Sequence, residues 1–247
     1  MNYLDILKNK PDMVSPGVSA CQGCCGELIL RRVLQTAGEN SIVCVPPGCM
    51  AGSGVVGWNY DSGMKIPVHI PLLDNTASFL TGLTHVYQRF GREDVNIIAV
   101  AGDGASADCG FQSLSGAAER GEHMLYICYD NEGYMNTGYQ RSSTTTIGSR
   151  TSTTPIGSVI SGKQQAQKYV PLIMAMHGVE YCAVEYEGSY GKGAEGAGGK
   201  QARFCVHPYV CPMHDRMVVR PGSGHRGGKA RCPLQYVPCM GENIRGL

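Results

Sequence analysis

Apolar residues recur at helical spacing in two stretches of the first ninety residues. In Glu27–Ala37 (ELILRRVLQTA), Leu30, Val33, Leu34 and Ala37 share one face, and Gly38 stands where such a helix ends. In Asn75–Phe90 the same pattern is carried by Phe79, Leu80, Leu83 and Val86–Tyr87. Between them Ser41–Val45 (SIVCV) is β-branched and closed by Pro46-Pro47-Gly48, which predicts a strand stopped by a turn. Val95–Ala101 (VNIIAVA) and Met124–Tyr129 (MLYICY) are short continuous apolar runs, the pattern of strands covered on both faces. Gly102-Asp103-Gly104 follows the first of these, and a helix from about Gly110 to Arg120 leads to the second. Strand, glycine turn, helix and strand make a βαβ unit with a right-handed crossover. Lys163–His177 predicts a further helix. The fold class expected is α/β, a mostly parallel sheet flanked by helices.

Composition adds limits. A chain of 247 residues suits one α/β domain or two small ones. Its 21 basic and 20 acidic residues give a net charge of +1, so nothing electrostatic favours nucleic acid or an acidic membrane surface. No apolar run is long enough to span a bilayer, and MNYLDILKNKPDM lacks the apolar core of a secretory signal. The expectation is a cytoplasmic protein with no membrane or nucleic-acid partner. In that setting 12 cysteines argue for metal, cluster or redox use rather than disulfides. The averages hide a break near residue 184. From Glu185 to Leu247, 12 of 63 residues are Gly, only 9 are Ile, Leu, Val or Phe, and the net charge is +4. Too little branched aliphatic surface is left there to offset ordering entropy. Residues 1–183 therefore read as an α/β domain, and 184–247 as an anomalous Gly-rich tail, disordered or frame-shifted.

In open α/β sheets ligands bind beyond the carboxyl ends of the strands. Gly102-Asp103-Gly104 lies at one such end and Asp130-Asn131 at the next. The tripeptide alone is also a common tight turn. A lone carboxylate would repel phosphate, so Asp103 makes sense as a ligand for Mg²⁺ bridging a diphosphate, with Asn131 as a neutral oxygen ligand. Elsewhere, Cys21-Gln22-Gly23-Cys24 is a C-x₂-C knuckle, with Cys49 25 residues beyond Cys24. Structural zinc and an iron–sulfur cluster both fit that spacing. Cys44, Cys109 and Cys128 fall within predicted strands or helices and read as small buried hydrophobes. His69, His85, His123 and His177 have no ligand-like spacing.

Gly102-Asp103-Gly104, 26 residues, then Asn131 is similar to the diphosphate motif of thiamine-diphosphate enzymes. Residues 102–157, GDGASADCGFQSLSGAAERGEHMLYICYDNEGYMNTGYQRSSTTTIGSRTSTTPIG, closely resemble the β subunit of 2-oxoacid:ferredoxin oxidoreductases, pyruvate synthase in particular. The resemblance runs from about Ser19 to about Ala183. It implies a thiamine-diphosphate-binding fold, with Asp103, Asn131 and the carbonyl of Gly133 as Mg²⁺ ligands and Asn136 near the reacting 2-oxoacid carbonyl. It implies further that Cys21, Cys24 and Cys49 ligate a [4Fe–4S] cluster, while Cys25 is an extra cysteine. Tyr134 and Met135 read equally as packing residues or cofactor contacts, and Thr144–Thr146 and Thr151–Thr154 as a solvated polar loop.

The activity implied is reversible oxidative decarboxylation of pyruvate to acetyl-CoA and CO₂, with coenzyme A as acyl acceptor and ferredoxin as electron acceptor, in anaerobic metabolism. Branched 2-oxoacids such as 2-oxoisovalerate are the alternative substrates, and a remnant impaired by a missing cluster ligand is the alternative state. The partners implied are α, γ and δ subunits, one of which carries the glutamate that activates thiamine. The family's fourth cluster cysteine lies in a segment A-P-C-x-x-G-W, which this sequence lacks. Read one base later, Met213-His214 (ATG CAY) must encode Cys and Met217-Val218 (ATG GTN) must encode Trp, which restores that spacing. Allowed codons over Cys211–Val218 complete APCTTGW. The expectation is a one-base frame change near Ala183–Gly193.

Overall fold

The structure, a computed structural model, describes residues 10–53, 55–56, 61–159, 161–179, 181–186 and 201–206. Most of the expected tail, with Cys211, Cys232 and Cys239, lies outside the described residues. Helix α1 (Cys25–Ala37) leads through Gly38, at φ +83°, into strand β1 (Ser41–Cys44). A short helix α2 (Cys49–Ser53) and a small antiparallel pair, β2 (Val55–Val56) and β3 (Asp61–Ser62), precede β4 (Val68–His69). Helix α3 (Thr76–Arg89) then enters the βαβ unit: β5 (Asn96–Gly102), a π-helical segment (Gly104–Cys109), α4 (Phe111–Arg120) and β6 (Leu125–Asp130). Helix α5 (Val170–Met176) and strands β7 (Tyr181–Tyr186) and β8 (Gln201–Val206) follow.

The main sheet has the order β4-β1-β5-β6-β8-β7, with β4, β1, β5 and β6 parallel. Strand β8 runs antiparallel to both β6 and β7. The period-2 alternation of the strands sorts their side chains into two cores. Val43, Val45, Ile98, Val100, Ile127 and Tyr129 pack against Leu30, Val33 and Leu34 of α1. Ile42, Cys44, Ile97, Ala99, Ala101 and Tyr126 face Leu80, Leu114 and Met174 of α3, α4 and α5. Coverage on both faces is what the continuous apolar runs require.

Two elements differ from the sequence expectation. Lys163–His177 is not one helix: only Val170–Met176 is helical, with Pro171 in its first turn. The preceding residues are not helical because Lys168 N–H, Lys163 Nζ and Gln167 Nε2 donate to carbonyls of residues 143–145. The sheet also continues beyond residue 183, since β7 crosses that position and β8 lies within 184–247. Among the described residues no helix is long and apolar enough to cross a membrane.

Ile98 is fully buried at the centre of the sheet. Ile98→Ala should cost about 2–5 kcal/mol of unfolding free energy in a denaturant titration. A loss below about 1 kcal/mol would show that this core tolerates the cavity.

Candidate functional site

Parallel pairing of β5 with β6 sets Gly102 opposite Tyr129, so Asp103 and Asp130 emerge side by side at the carboxyl end of the sheet. Both are buried, Asp103 2% and Asp130 0% exposed. A Cβ added to Gly102 would meet nothing within 4 Å, so the backbone there borders open space. Gly104 has a different reason to be glycine, because a Cβ would run into the Tyr134 ring. Tyr134 donates its hydroxyl toward Gly104 O at 3.3 Å and Asp108 Oδ2 at 3.1 Å. It is therefore a packing residue over the glycine turn. The chain after Gly104 forms a wide π turn, with Gly110 N–H donating to Ala105 O at 2.9 Å.

Beyond β6, Glu132 adopts φ +63°, a left-handed conformation uncommon outside glycine. Three bonds hold it: its N–H donates to Asp130 Oδ1 at 3.0 Å, Thr145 Oγ1 donates to its carbonyl at 2.6 Å, and Thr146 Oγ1 to its Oε2 at 2.8 Å. The turn swings the Asn131 side chain and the Gly133 carbonyl back toward Asp103. The Asn131 amide oxygen lies 2.8 Å from Gly133 O and 3.1 Å from Asp103 Oδ1. Two such separations match neighbouring ligands on an octahedral Mg²⁺, about 2.9 Å apart for bonds of 2.0–2.1 Å. Turning the amide over would let its nitrogen donate to both oxygens, which is the arrangement a cation-free site favours. With the oxygen inward, Nδ2 donates instead to Cys49 Sγ at 3.6 Å. The residues fit a divalent cation.

Thr144 Oγ1 sits 3.0 Å from Asp103 Oδ2 and 2.8 Å from Asp130 Oδ1. Ser142, Thr144, Thr145 and Thr151 are buried, so the first of the two expected solvated runs is largely a buried scaffold, whereas Ser152 and Thr153 in the second are exposed. Burial first, and then the Asp130 charge, pushes the Asp103 carboxyl up to about 7.

Asn136 Oδ1 lies 3.3 Å from Cys49 Sγ, which brings Asn136, Cys49 and Asn131 to one edge of the site. Burial raises the Cys49 thiol above its ordinary range; the Asn131 hydrogen bond acts against this, and the Cys24, Cys21 and Asp103 charges add to it. The three cysteines share a neighbourhood, but among the described residues no three His, Cys, Asp or Glu side chains gather around one point. Cys44 and Cys128 are buried as expected, whereas Cys109 is exposed, its sulfur 3.5 Å from the Tyr134 hydroxyl at the end of the π segment. His69, His85 and His177 are engaged with Phe79, Glu122 and Ser115 respectively.

The family described as "Thiamine pyrophosphate enzyme, C-terminal TPP binding domain" matches residues 67–203. The NADH-dependent phenylglyoxylate dehydrogenase subunit beta of Aromatoleum evansii is 53% identical over 172 residues, which are 70% of this chain and 38% of that protein. Pyruvate synthase subunit PorB of Methanothermobacter thermautotrophicus is 42% identical over 174 residues, 70% of this chain and 59% of that protein. The chain thus spans between about two fifths and three fifths of the length of these two relatives. A solved 2-oxoglutarate:ferredoxin oxidoreductase from Magnetococcus marinus superposes with a TM-score of 0.52 at 19% identity, covering 73% of this chain and 57% of that one. At that identity the match speaks for the fold.

A carboxyl held above its unfolded value favours the fold only while protonated. The chelator-treated protein should lose stability as pH rises from about 4 to about 7, because the unfolded chain releases the Asp103 proton first. Asp103→Asn removes that contribution. Denaturation midpoints should show the variant gaining on the wild type across this window and staying level above it. A difference that is flat with pH overturns the assignment.

Proposed function

The chain belongs to the thiamine pyrophosphate enzymes through their C-terminal TPP-binding domain, and from that premise we propose that it is the thiamine-diphosphate-binding subunit of a 2-oxoacid:ferredoxin oxidoreductase. The observation that carries the reading is the convergence of the Asn131 amide on Gly133 O and Asp103 Oδ1, at 2.8 and 3.1 Å, at the carboxyl end of the sheet. Those three oxygens hold Mg²⁺, and the open backbone at Gly102 leaves room for a diphosphate against it. When bound, thiamine diphosphate supplies a carbanion for the 2-oxoacid carbonyl, and a [4Fe–4S] cluster provides one-electron transfer. Asn136 offers its amide to the substrate oxygen at the edge where Cys49 also stands. Cys21, Cys24 and Cys49 would supply three thiolates to the cluster, a role supported by the C-x₂-C spacing and by the effect of Cys24 and Cys21 on the Cys49 thiol. The α, γ and δ subunits complete the active site, coenzyme A takes the acyl group, and ferredoxin takes the electrons.

Pyruvate is the substrate proposed, from the PorB relative and the YMNTGYQRS loop. The higher identity to the phenylglyoxylate dehydrogenase subunit favours a second reading, an aromatic 2-oxoacid with a nicotinamide as final electron carrier. An anaerobic preparation with its partner subunits separates the two. Pyruvate, 2-oxoisovalerate, 2-oxoglutarate and phenylglyoxylate compete in the assay, with ferredoxin or NAD⁺ as acceptor. The expected result is thiamine- and Mg²⁺-dependent ferredoxin reduction by pyruvate, with Asn136→Ala lowering kcat by roughly 100-fold. No thiamine-dependent oxidation of any of the four acids would overturn the reading.

A one-base frame change in the codons for Ala183–Gly193 accounts for the fourth cluster thiolate, because the shifted frame forces Cys and Trp at the family spacing. The same shift permits KPGFVFIH over Gln201–Pro208, an apolar run at the place of β8. Resequencing those codons should reveal an inserted or deleted base. The same frame, uninterrupted in the transcript of an active complex, rejects this account.

A further inference from the structure

Lys163 heads the fully buried side chains by volume, at 1% exposure. Lysine is almost never buried so completely without a carboxylate. Here carbonyl dipoles take the carboxylate's place, with Nζ donating to Ser143 O at 3.0 Å and Thr145 O at 2.5 Å. Burial, and then the Arg141 charge, lowers its proton affinity, while Asp108 and Glu132 act in the opposite direction. The same segment takes the carbonyl between: Gln167 Nε2 donates to Thr144 O at 2.8 Å, and Lys168 N–H to Ser143 O at 2.9 Å. Three consecutive carbonyls thus turn toward residues 163–168. The hydroxyls of the same residues turn the other way, Thr144 between Asp103 and Asp130, Thr145 onto Glu132 O.

Gly162 fits the clamp for a steric reason, since its φ is +76° and a Cβ there would run into Gly148 O. Lys163 itself is locked in the chain by its N–H to Ser149 O at 3.0 Å and its carbonyl accepting from Gly148 N–H at 2.7 Å. Lys168 continues the stitching, with Nζ donating to Ala107 O and lying 4.5 Å above the Phe111 ring. The loop's backbone is therefore fixed from behind, where Lys163 supplies the central contacts, and its hydroxyls are presented to the acidic end of the sheet.

We propose that Lys163 is a positioning residue of the cofactor site: by holding the carbonyls of Ser143 and Thr145 it fixes the Thr144 hydroxyl between Asp103 and Asp130, and thereby sets the affinity for the metal–diphosphate unit. The inference rests on the thiamine-diphosphate reading above. Without Nζ, Thr145 O loses its buried donor and Ser143 O keeps only the Lys168 N–H, the turn re-forms toward other partners, and Asp103 loses the hydroxyl that holds Oδ2.

The test titrates thiamine diphosphate at saturating Mg²⁺ into the complex with its partner subunits, by calorimetry, for the wild type and Lys163→Met. The expected result is a Kd raised about 10–100-fold, the range seen when residues supporting metal ligands are removed, with kcat at saturating cofactor within about twofold of wild type. An unchanged Kd, with only the melting temperature lowered, overturns the inference and makes Lys163 a packing residue. Thr144→Val keeps the shape and removes the hydroxyl, so it should reproduce the affinity loss. Normal binding by Thr144→Val overturns the inference even where Lys163→Met does not fold. The double variant should bind no worse than the weaker single variant, and additive losses overturn the relay. Absence of binding by the wild type is a separate outcome: it rejects the thiamine-diphosphate reading, and the inference falls with it.

Discussion

Two carboxylates buried side by side, Asp103 and Asp130, impose the central constraint on this protein. Burial first, and then the neighbouring Asp130 charge, pushes the Asp103 carboxyl up to about 7. A fold can keep such a pair only by supplying donors or a cation. The parallel sheet fixes where the problem arises, at the carboxyl ends of β5 and β6. Thr144 supplies one hydroxyl between the two acids, and a hydroxyl has a single proton to give. The remaining acceptors, Asp103 Oδ1, Asn131 Oδ1 and Gly133 O, point at one another. In the proposed complex a divalent cation would answer all three at once, and the electrostatic cost of the apo site and the affinity of the loaded site would then have one origin.

The loop that follows β6 is shaped by the same demand. Glu132 accepts a left-handed backbone worth about 1–3 kcal/mol of strain. The bonds from Thr145, Thr146 and Asp130 hold it there, and each of these residues also belongs to the acid cluster or to the loop behind it. The side chains that look most ordinary in the loop, its threonines, thus do the geometric work. They are buried because their hydroxyls replace water around carboxylates.

Much of this was legible in the sequence where the signal is periodic or glycine-bound. The strands Ser41–Cys44, Asn96–Gly102 and Leu125–Asp130 follow from apolar runs, and the helices Cys25–Ala37 and Thr76–Arg89 from spacing near 3.6. Gly102-Asp103-Gly104 and Asn131 follow from position at strand ends. The threonine loop was not legible, because a run of hydroxyls has the composition of a solvated surface, and only tertiary contacts with Asp103, Asp130 and Glu132 reverse that meaning. Lys163 through Tyr169 read as helix for a related reason. Their helical propensity is real, but tertiary partners for Lys163, Gln167 and Lys168 outweigh it. Cys109, taken for a buried hydrophobe, is exposed because the π segment ends at that residue.

Asn131 shows why residue type matters as much as position. Its oxygen faces Asp103 and Gly133 while its nitrogen faces the Cys49 sulfur at 3.6 Å. An aspartate in its place would ligate a cation equally well. It would also put a third carboxylate beside Asp103 and Asp130, raising the repulsion the cation must overcome. And it would have no proton to offer a thiolate. The neutral amide gives one oxygen to the cation and one N–H to the sulfur, and the two orientations of that amide are mutually exclusive. In the proposed Mg²⁺ complex a cation would draw the oxygen inward and turn the N–H toward Cys49, so that occupancy of the oxygen site would set the hydrogen bonding of the neighbouring sulfur. Hydrogen bonds to a ligating sulfur are among the levers that tune a cluster's potential. The acidic end of the site and its cysteine end are therefore joined through a single side chain, Asn131.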